Sequence, residues 1–252
     1  MVRLEAYLYT NPGGRRDNED SADYWIEADS GIFVLADGLG GHRDGAAASA
    51  LVTRSLLDSW SWRELPDEDT DIGAWLYDSI MSANRELLDT QQECSSSMKS
   101  TIVALTIDRE NCAWAHVGDS RLYYLTNGHI IRATQDHSVS FKKFLAGEIG
   151  LEDINFDDDR SSLLRVVGDP ARCQPDTGMP EINGQLSPGD AFLLCSDGFW
   201  EYLYDEEILI DFLKAETPEH WAELMLLRIL PRITQETDNM TLLTVFVGGE
   251  NE

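Results

Sequence analysis

Aspartates recur where apolar segments of this chain end or begin. Asp37 closes GIFVLAD, Asp119 follows the apolar run in AHVGD, and Asp197 closes FLLCSD. Asp238 stands just before NMTLLTVFVG. A carboxylate at a strand end is held in a fixed position, and several aspartate oxygens together suit a hard cation such as Mg²⁺ or Mn²⁺. Gly38 lets its own carbonyl oxygen approach an ion. One Asp-Gly pair alone is a common turn, so the recurrence is what favours a metal site.

An upstream segment, GGRRDNEDS, combines positive and negative side chains. Arg15 and Arg16 come shortly before Glu19 and Asp20. Arginine beside metal-binding carboxylates favours a doubly charged anionic ligand such as phosphate, because the guanidinium fork matches its oxygens. The chemistry indicated by these residues is therefore metal-assisted handling of a phosphate group.

The charge of the whole chain narrows its possible partners. The sequence has 252 residues, with 46 acidic against 19 basic ones and a formal net charge of −27. This charge repels nucleic acids and anionic membrane surfaces, so we expect neither as a partner.

No apolar run approaches the roughly 20 residues of a membrane span, and no secretory signal is visible. The 4 cysteines show no CxxC spacing, which predicts a reduced, cytoplasmic protein without structural zinc.

Hydrophobic periodicity predicts the elements that must position these residues. Strands are expected at 4–10, 31–37, 100–108, 112–118, 120–126, 129–135, 181–186, 190–197 and 239–248. Helices are expected at 45–60, 71–92, 205–216 and 218–234. Residues 138–178 are acidic and broken by Gly and Pro, which predicts an irregular flap with room for a short helix at 141–150. The pattern favours an α+β domain with antiparallel sheets covered by helix pairs.

Six motifs follow one another in a fixed order: RRDNED, LADGLGGH, HVGDSRLYYL, QDHS, LLCSDGFWE and TDNMTLLTV. Together they resemble the ordered motifs of the metal-dependent protein phosphatases of the 2C type, in particular the compact bacterial branch. The resemblance extends over roughly residues 5–247. It implies a four-layer α-β-β-α sandwich with two central antiparallel sheets, and a single phosphatase catalytic domain over residues 1–252.

The resemblance also implies a set of metal-binding residues, namely Glu19, Asp20, Asp37, Gly38, Asp119, Asp197 and Asp238. In this family pattern Asp37 would bridge two tightly bound Mn²⁺ or Mg²⁺ ions. The Gly38 carbonyl would bind one of them, and Asp197 and Asp238 would bind the other. A third, weaker ion would lie between Asp119 and Asp197. Glu19 and Asp20 would hold metal-bound waters.

Two further residues receive catalytic roles from the resemblance. Arg15, five residues before Asp20, would grip the substrate phosphate, with Arg16 as the alternative. His42 comes three residues after Leu39, the position where some family members carry a histidine proposed as a general acid. His42 is therefore either a leaving-group acid or a hydrogen-bonding residue that shapes the loop, and the sequence leaves both open.

The implied function is that of a protein serine/threonine phosphatase. It would hydrolyse phosphoserine and phosphothreonine monoesters by direct attack of a metal-bridging hydroxide, as a monomer that opposes a serine/threonine kinase. No cysteine begins the Cys-x5-Arg loop of a thiol phosphatase. Two alternatives remain: a pseudophosphatase that acts as a regulatory binding protein, and a metallohydrolase of small phosphoesters. A pseudoenzyme usually lacks one or more metal ligands, whereas Asp37, Asp197 and Asp238 are all present.

Overall fold

Two antiparallel β-sheets lie face to face, with helices on both outer sides. The computed structural model describes residues 2–40, 43–62, 71–132, 134–180 and 185–249. The strands are β1 Val2–Asn11, β2 Asp20–Glu27, β3 Ser30–Leu39, β4 Lys99–Ser100, β5 Ile102–Asp108, β6 Asn111–Val117, β7 Arg121–Thr126, β8 His129–Arg132, β9 Asp176–Gly178, β10 Ala191–Cys195 and β11 Met240–Gly249. The helices are α1 Arg43–Ser61, α2 Ile72–Cys94, α3 Val139–Leu145, α4 Asp197–Trp200, α5 Asp205–Phe212 and α6 Pro218–Ile229, with a 3₁₀ helix η1 at Leu151–Phe156.

The strand order determines which loops meet. One sheet has the order β1-β11-β10-β7-β8, and the other has the order β2-β3-β5-β6-β9, with β4 beside β3. The β1 strand pairs with β11 along its full length, from Val2 opposite Gly249 to Asn11 opposite Met240. Strands far apart in the chain therefore end side by side at the same edge.

Three apolar layers hold the sandwich together. Between the sheets, buried residues such as Phe33, Leu105, Phe192 and Leu243 pack face to face. The α1 and α2 helices cover the sheet that contains β3, and α5 and α6 cover the sheet that contains β11. The four-layer α-β-β-α sandwich expected from the sequence is confirmed. No helix in the described ranges is long and apolar enough to cross a membrane.

Several element boundaries differ from the sequence prediction. The α6 helix ends at Ile229 rather than at residue 234, because Pro231 has no N–H for the helical bond and its ring clashes with the preceding turn. The β2 strand is absent from the prediction. One face of this strand packs against the core through Ala22, Tyr24 and Ile26, which are only partly buried. Trp25 is half exposed on the other face, and this apolar residue obscures the alternation in the sequence. Residues 181–184 of the predicted strand at 181–186 lie outside the described residues.

Residues 138–178 contain more regular structure than the sequence suggests. The α3 helix begins at Val139, two residues before the predicted short helix, because the Ser138 side chain caps the Phe141 N–H at 3.2 Å. Lys143 then ties this helix to the following segment through ion pairs with Asp157 at 2.9 Å and Asp159 at 2.8 Å.

A buried ion pair fixes the segment after β8 against β7. Arg121 donates to both oxygens of the Asp136 carboxylate, at 2.8 Å from Nε and 2.6 Å from Nη2. Both residues are 5% exposed, and the guanidinium carbon lies 3.3 Å from the centre of the Trp200 ring. Removing one partner of such a pair leaves an uncompensated charge in the interior.

We expect Asp136→Asn to destabilise the fold by about 3–5 kcal/mol, because the shape is kept while the charge opposite Arg121 is lost. Urea denaturation measures the change in the free energy of unfolding. The exposed pair of Arg3 and Glu5, at 3.0 Å, supplies the control: Glu5→Gln should cost at most about 1 kcal/mol. Equal losses in the two variants would contradict the structural role of the buried pair.

Candidate metal and phosphate site

The strands β2 and β3 place Asp20 and Asp37 opposite each other. The two residues are register partners in the antiparallel ladder. The β3 strand continues past Asp37 to Leu39, because its last residues pair with β4. Asp37 therefore lies within the strand, where the sequence had placed it at the end. Its N–H donates to the Thr101 hydroxyl at 3.0 Å, and its carbonyl accepts from the Thr101 N–H and the Ser100 hydroxyl, both at 2.8 Å.

The other sheet contributes three more aspartates at its facing edge. Asp197 opens α4 directly after β10, and Asp238 lies two residues before β11. Since β10 and β11 are antiparallel neighbours, the end of one lies beside the start of the other. Asp119 is in the turn between β6 and β7, and β7 is the next neighbour of β10. The sequence-predicted aspartates are thus brought together from both sheets.

The electrostatics show how closely these carboxylates are grouped. Burial raises the pKa of Asp37 well above its usual range, and the nearby charges of Asp20, Asp197, Asp119 and Asp238 raise it further. Burial also raises the pKa of Asp20 to about 6 and that of Asp119 to about 7. Like charges held this close disfavour ionisation. Protein groups alone leave the cluster with a strong excess of negative charge.

The donor set fits a hard divalent cation. The Oδ2 atom of Asp20 accepts a hydrogen bond from the Ser196 hydroxyl at 2.8 Å, but its Oδ1 atom is buried and has no hydrogen-bond partner among the described residues. A buried carboxylate oxygen without a partner is costly unless a cation or water satisfies it. Carboxylate oxygens in this number are the ligands that Mg²⁺ and Mn²⁺ prefer.

Arg15 lies at the open side of the cluster. Its Nη2 atom is 2.8 Å from Oδ2 of Asp238, and both side chains are about half exposed. This contact places a guanidinium fork where a ligand could reach it together with the carboxylates. Arg16 is also exposed, so both arginines remain accessible to solvent.

Asn239 is a positioning residue that the sequence analysis did not single out. Its side-chain amide donates to the carbonyls of Pro12 and Asp17, both at 3.0 Å, and its Oδ1 accepts from the Glu19 N–H at 2.7 Å. One side chain therefore fixes the loop that carries Arg15 against the start of β11. The available signal was the Asn directly after the aspartate in the TDN motif.

Close backbone packing explains the glycines that follow Asp37. A Cβ atom on Gly38 would lie 2.1 Å from the Gly45 carbonyl oxygen, and one on Gly45 would lie 2.0 Å from Oε2 of Glu19. These two glycines bring the first turn of α1 against Glu19. Gly38 is therefore required for close packing of the backbone around Glu19.

The turn that carries Asp119 is fixed on two sides. The backbone N–H of His137 donates to the Gly118 carbonyl at 2.9 Å, and the ring Nδ1 of His137 accepts from the Gly118 N–H at 3.1 Å. On the other side, the Trp200 indole donates to the Asp119 carbonyl at 3.0 Å. The salt bridge of Arg121 goes to Asp136, so the simplest local explanation for Asp119, an ion pair with Arg121, is not the arrangement observed.

His116, His137 and Asp176 form a second group of possible metal ligands. It lies beside the turn of Asp119, because His137 contacts Gly118. The two imidazole rings stack with centroids 4.4 Å apart, and Nε2 of His137 is 3.0 Å from Asp176. Arg165 already supplies a cation there, at 2.6 Å from Asp176. Burial lowers the pKa of His137 to about 4, which keeps this ring neutral. These contacts support a structural role for both histidines. His42 lies outside the described residues.

Comparison with known proteins agrees with this arrangement. The model of the protein phosphatase 2C family matches residues 15–224. The serine/threonine phosphatase stp of Listeria monocytogenes is 34% identical over 197 residues, 77% of each chain. The crystal structure of Stp1 from Staphylococcus aureus matches with a TM-score of 0.85 and 30% identity, over 98% of this chain and 96% of that one.

A third relative is known with its metals. The catalytic domain of the serine/threonine protein phosphatase PstP, solved in complex with 2 manganese ions, matches with a TM-score of 0.80 and 26% identity, over 99% of this chain and 100% of that one. With a family match over most of its length, this chain belongs to the protein phosphatase 2C family, whose members are metal-dependent phosphatases.

We expect Asp37→Asn to keep the fold but to lose stabilisation by Mn²⁺, because the change is nearly isosteric and removes the central charge of the cluster. Thermal unfolding with and without Mn²⁺ measures this, since a ligand that binds only the folded state raises its stability. Asp23→Asn, at an exposed position of β2, is the matched control and should respond to Mn²⁺ like the unaltered protein. An unchanged Mn²⁺ response in Asp37→Asn would contradict the assignment.

Proposed function

We propose that this protein is a metal-dependent protein serine/threonine phosphatase that hydrolyses phosphoserine and phosphothreonine monoesters. The observation that carries the proposal is the group of five aspartates gathered from two sheets, with the Arg15 guanidinium at its open side. Membership of the protein phosphatase 2C family supports the same reaction. The catalytic domain would extend over residues 1–252, with the segment at about 138–178 as a flap beside the site.

The metal would be Mn²⁺ or Mg²⁺, held in two tight positions and one weaker one. Asp37 would contribute to both tight positions, Gly38 through its carbonyl to one, and Asp197 and Asp238 to the other. When bound, such ions supply Lewis-acid activation of water and neutralise charge on a phosphoryl group. Glu19 and Asp20 would orient the waters around them. Asp119 and Asp197 would hold the weaker ion. Burial raises the pKa of Asp197, and the charge of Asp119 is the neighbouring charge that raises it most.

The residues of the chain have separate tasks around the phosphate. Arg15 would bind its oxygens, in place of the present contact with Asp238, and so orient the ester for in-line displacement. Asn239 would hold the loop that carries Arg15 in a fixed position beside Asp238 through its three hydrogen bonds to that segment. The role of His42 stays open, as a leaving-group acid or as a residue that shapes its loop.

The proposal also covers the partners, the location and the oligomeric state of the enzyme. Its partners would be phosphorylated proteins and a serine/threonine kinase that it opposes, in the cytoplasm, with the phosphatase acting as a monomer. A pseudophosphatase is not favoured, because the expected metal-binding residues are all present in the sequence. Parallel assays with a phosphothreonine peptide and a small aryl phosphate separate a protein phosphatase from a hydrolase of small esters. Turnover of the small ester alone would overturn the proposal.

Arg15→Ala should raise KM for a phosphopeptide about tenfold or more, with a smaller loss in kcat, because a guanidinium bound to phosphate in both ground and transition states contributes mainly uniform binding. Steady-state kinetics of Arg15→Ala and of Arg16→Ala test the choice between the neighbours. A normal KM in Arg15→Ala, together with a raised KM in Arg16→Ala, would identify Arg16 as the phosphate ligand.

Asp119→Ala should lower kcat and remove a low-affinity phase from the Mn²⁺ titration, while the tight Mn²⁺ binding measured by calorimetry stays in place. The reason is that an ion held by few carboxylates binds weakly. The activity curves of the unaltered protein and the variant are compared over a wide Mn²⁺ range. If they superimpose after scaling and kcat changes less than about twofold, roughly 0.4 kcal/mol, Asp119 has a purely structural role.

A further inference from the structure

An apolar cavity lies beside the loop that carries Arg15. It has a volume of about 510 Å³ and lies between the C-terminal half of α6, the end of β1 and the segment before β11. Its walls are formed by Tyr9, Leu226, Leu227, Leu230, Ile233 and Met240, among others. This volume is within the range of cavities that bind ligands in proteins.

The walls of the cavity expose apolar surface that the fold does not use. Ile229 and Met240 belong to the buried core, but Leu227 is 64% exposed, Leu230 58% and Ile233 36%. Single exposed leucines are ordinary, whereas several around one concave surface are typical of a binding site. The charged group among the lining residues is the carboxylate of Glu223.

The cavity continues towards the proposed phosphate site. Gly13 lines it, and an adjoining depression is lined by Gly13, Gly14 and Thr234. The Gly14 N–H donates to the Thr237 carbonyl at 2.8 Å, which holds this loop against the segment that leads to Asp238. Arg15 is two residues from Gly13, so their Cα atoms are at most about 7 Å apart. An extended peptide covers that distance with two residues.

We propose that this cavity is a subsite for an apolar side chain of the phosphoprotein substrate, two to four residues from the phosphorylated one. The inference rests on the proposed function, because it takes Arg15 as the point where the phosphate binds. The carboxylate of Glu223 and the net charge of −27 disfavour an anionic occupant such as a fatty acid and favour a neutral or basic peptide. Apolar contact at this subsite selects among phosphoproteins by sequence, which the phosphate itself does not.

A peptide series tests the subsite directly. Each peptide carries one phosphothreonine in a background of alanine and lysine, with a single leucine moved from four residues before it to four residues after it. We expect leucine at one position, between two and four residues away, to lower KM about tenfold relative to alanine. Equal KM values for all peptides would overturn the subsite and leave phosphatase activity intact. Absence of any peptide hydrolysis would instead overturn the proposed function.

Two matched leucines provide the variants. Leu230 is the C-terminal cap residue of α6, in the cavity, and Leu213 is the C-terminal cap residue of α5, outside it. Their exposures, 58% and 61%, are nearly equal. Leu230→Glu should remove the preference for leucine, and Leu213→Glu should retain it. Both should hydrolyse a small aryl phosphate at the rate of the unaltered protein within about twofold, because that ester does not reach the cavity.

A further variant and two other results also test the substrate subsite. Leu227→Glu provides a second change in the cavity wall within the body of α6, and it should act like Leu230→Glu. Loss of the preference in Leu213→Glu as well would show that added charge, rather than the cavity, is responsible. Self-association of the unaltered protein that Leu230→Glu abolishes, with no change in peptide KM, would assign the cavity to a second copy of this chain and overturn the substrate subsite.

Discussion

Mutual repulsion among buried carboxylates is the constraint around which this fold is organised. Asp37 is surrounded by the charges of Asp20, Asp197, Asp119 and Asp238, and no flexible peptide would hold them together. The two sheets do so because each aspartate is on, or next to, a strand whose neighbours are hydrogen-bonded along their length. The free energy that opposes the repulsion comes from the apolar layers between and outside the sheets. These layers bury side chains such as Phe33 and Phe192 completely.

Polar side chains add hydrogen bonds that fix the loops and strands around the carboxylates. Asn239 fixes the loop before β2, Ser196 bonds to Asp20, and the Ser100 hydroxyl holds the backbone of Asp37. Asn239 links that loop to β11, Ser196 links the two sheets, and Ser100 links β4 to β3 within one sheet. The arrangement leaves the carboxylates little freedom to move apart, so a divalent cation finds them already in place and binding requires little reordering.

The sequence predicted an α+β domain with antiparallel sheets and helix pairs, together with the aspartates, because both leave local signals: apolar runs mark the strands, and Asp follows or precedes them. The four-layer order of the sandwich came from the family resemblance. The β2 strand lacked a clear signal, since it lies at a sheet edge, its inner face is only partly buried, and the exposed Trp25 interrupts the alternation. The pair of Arg121 and Asp136 was also missed, because their contact depends on where the segment that contains Asp136 packs and on the ring of Trp200. The roles of individual ligands came from family resemblance, which periodicity and spacing could not supply.

The pairing of β1 with β11 has a consequence for how the protein is made. Roughly 230 residues separate the two strands. At a synthesis rate of about 5–20 residues per second, the ribosome therefore makes β11 on the order of ten to fifty seconds after β1. Arg15 and Asp20 leave the ribosome early, whereas Asp238 and Asn239 leave it late. The nascent chain therefore has no complete site until nearly the whole sandwich has been made. During that interval the backbone N–H and C=O groups of β1 lack their partner strand, and such unpaired groups can pair with another chain and lead to aggregation.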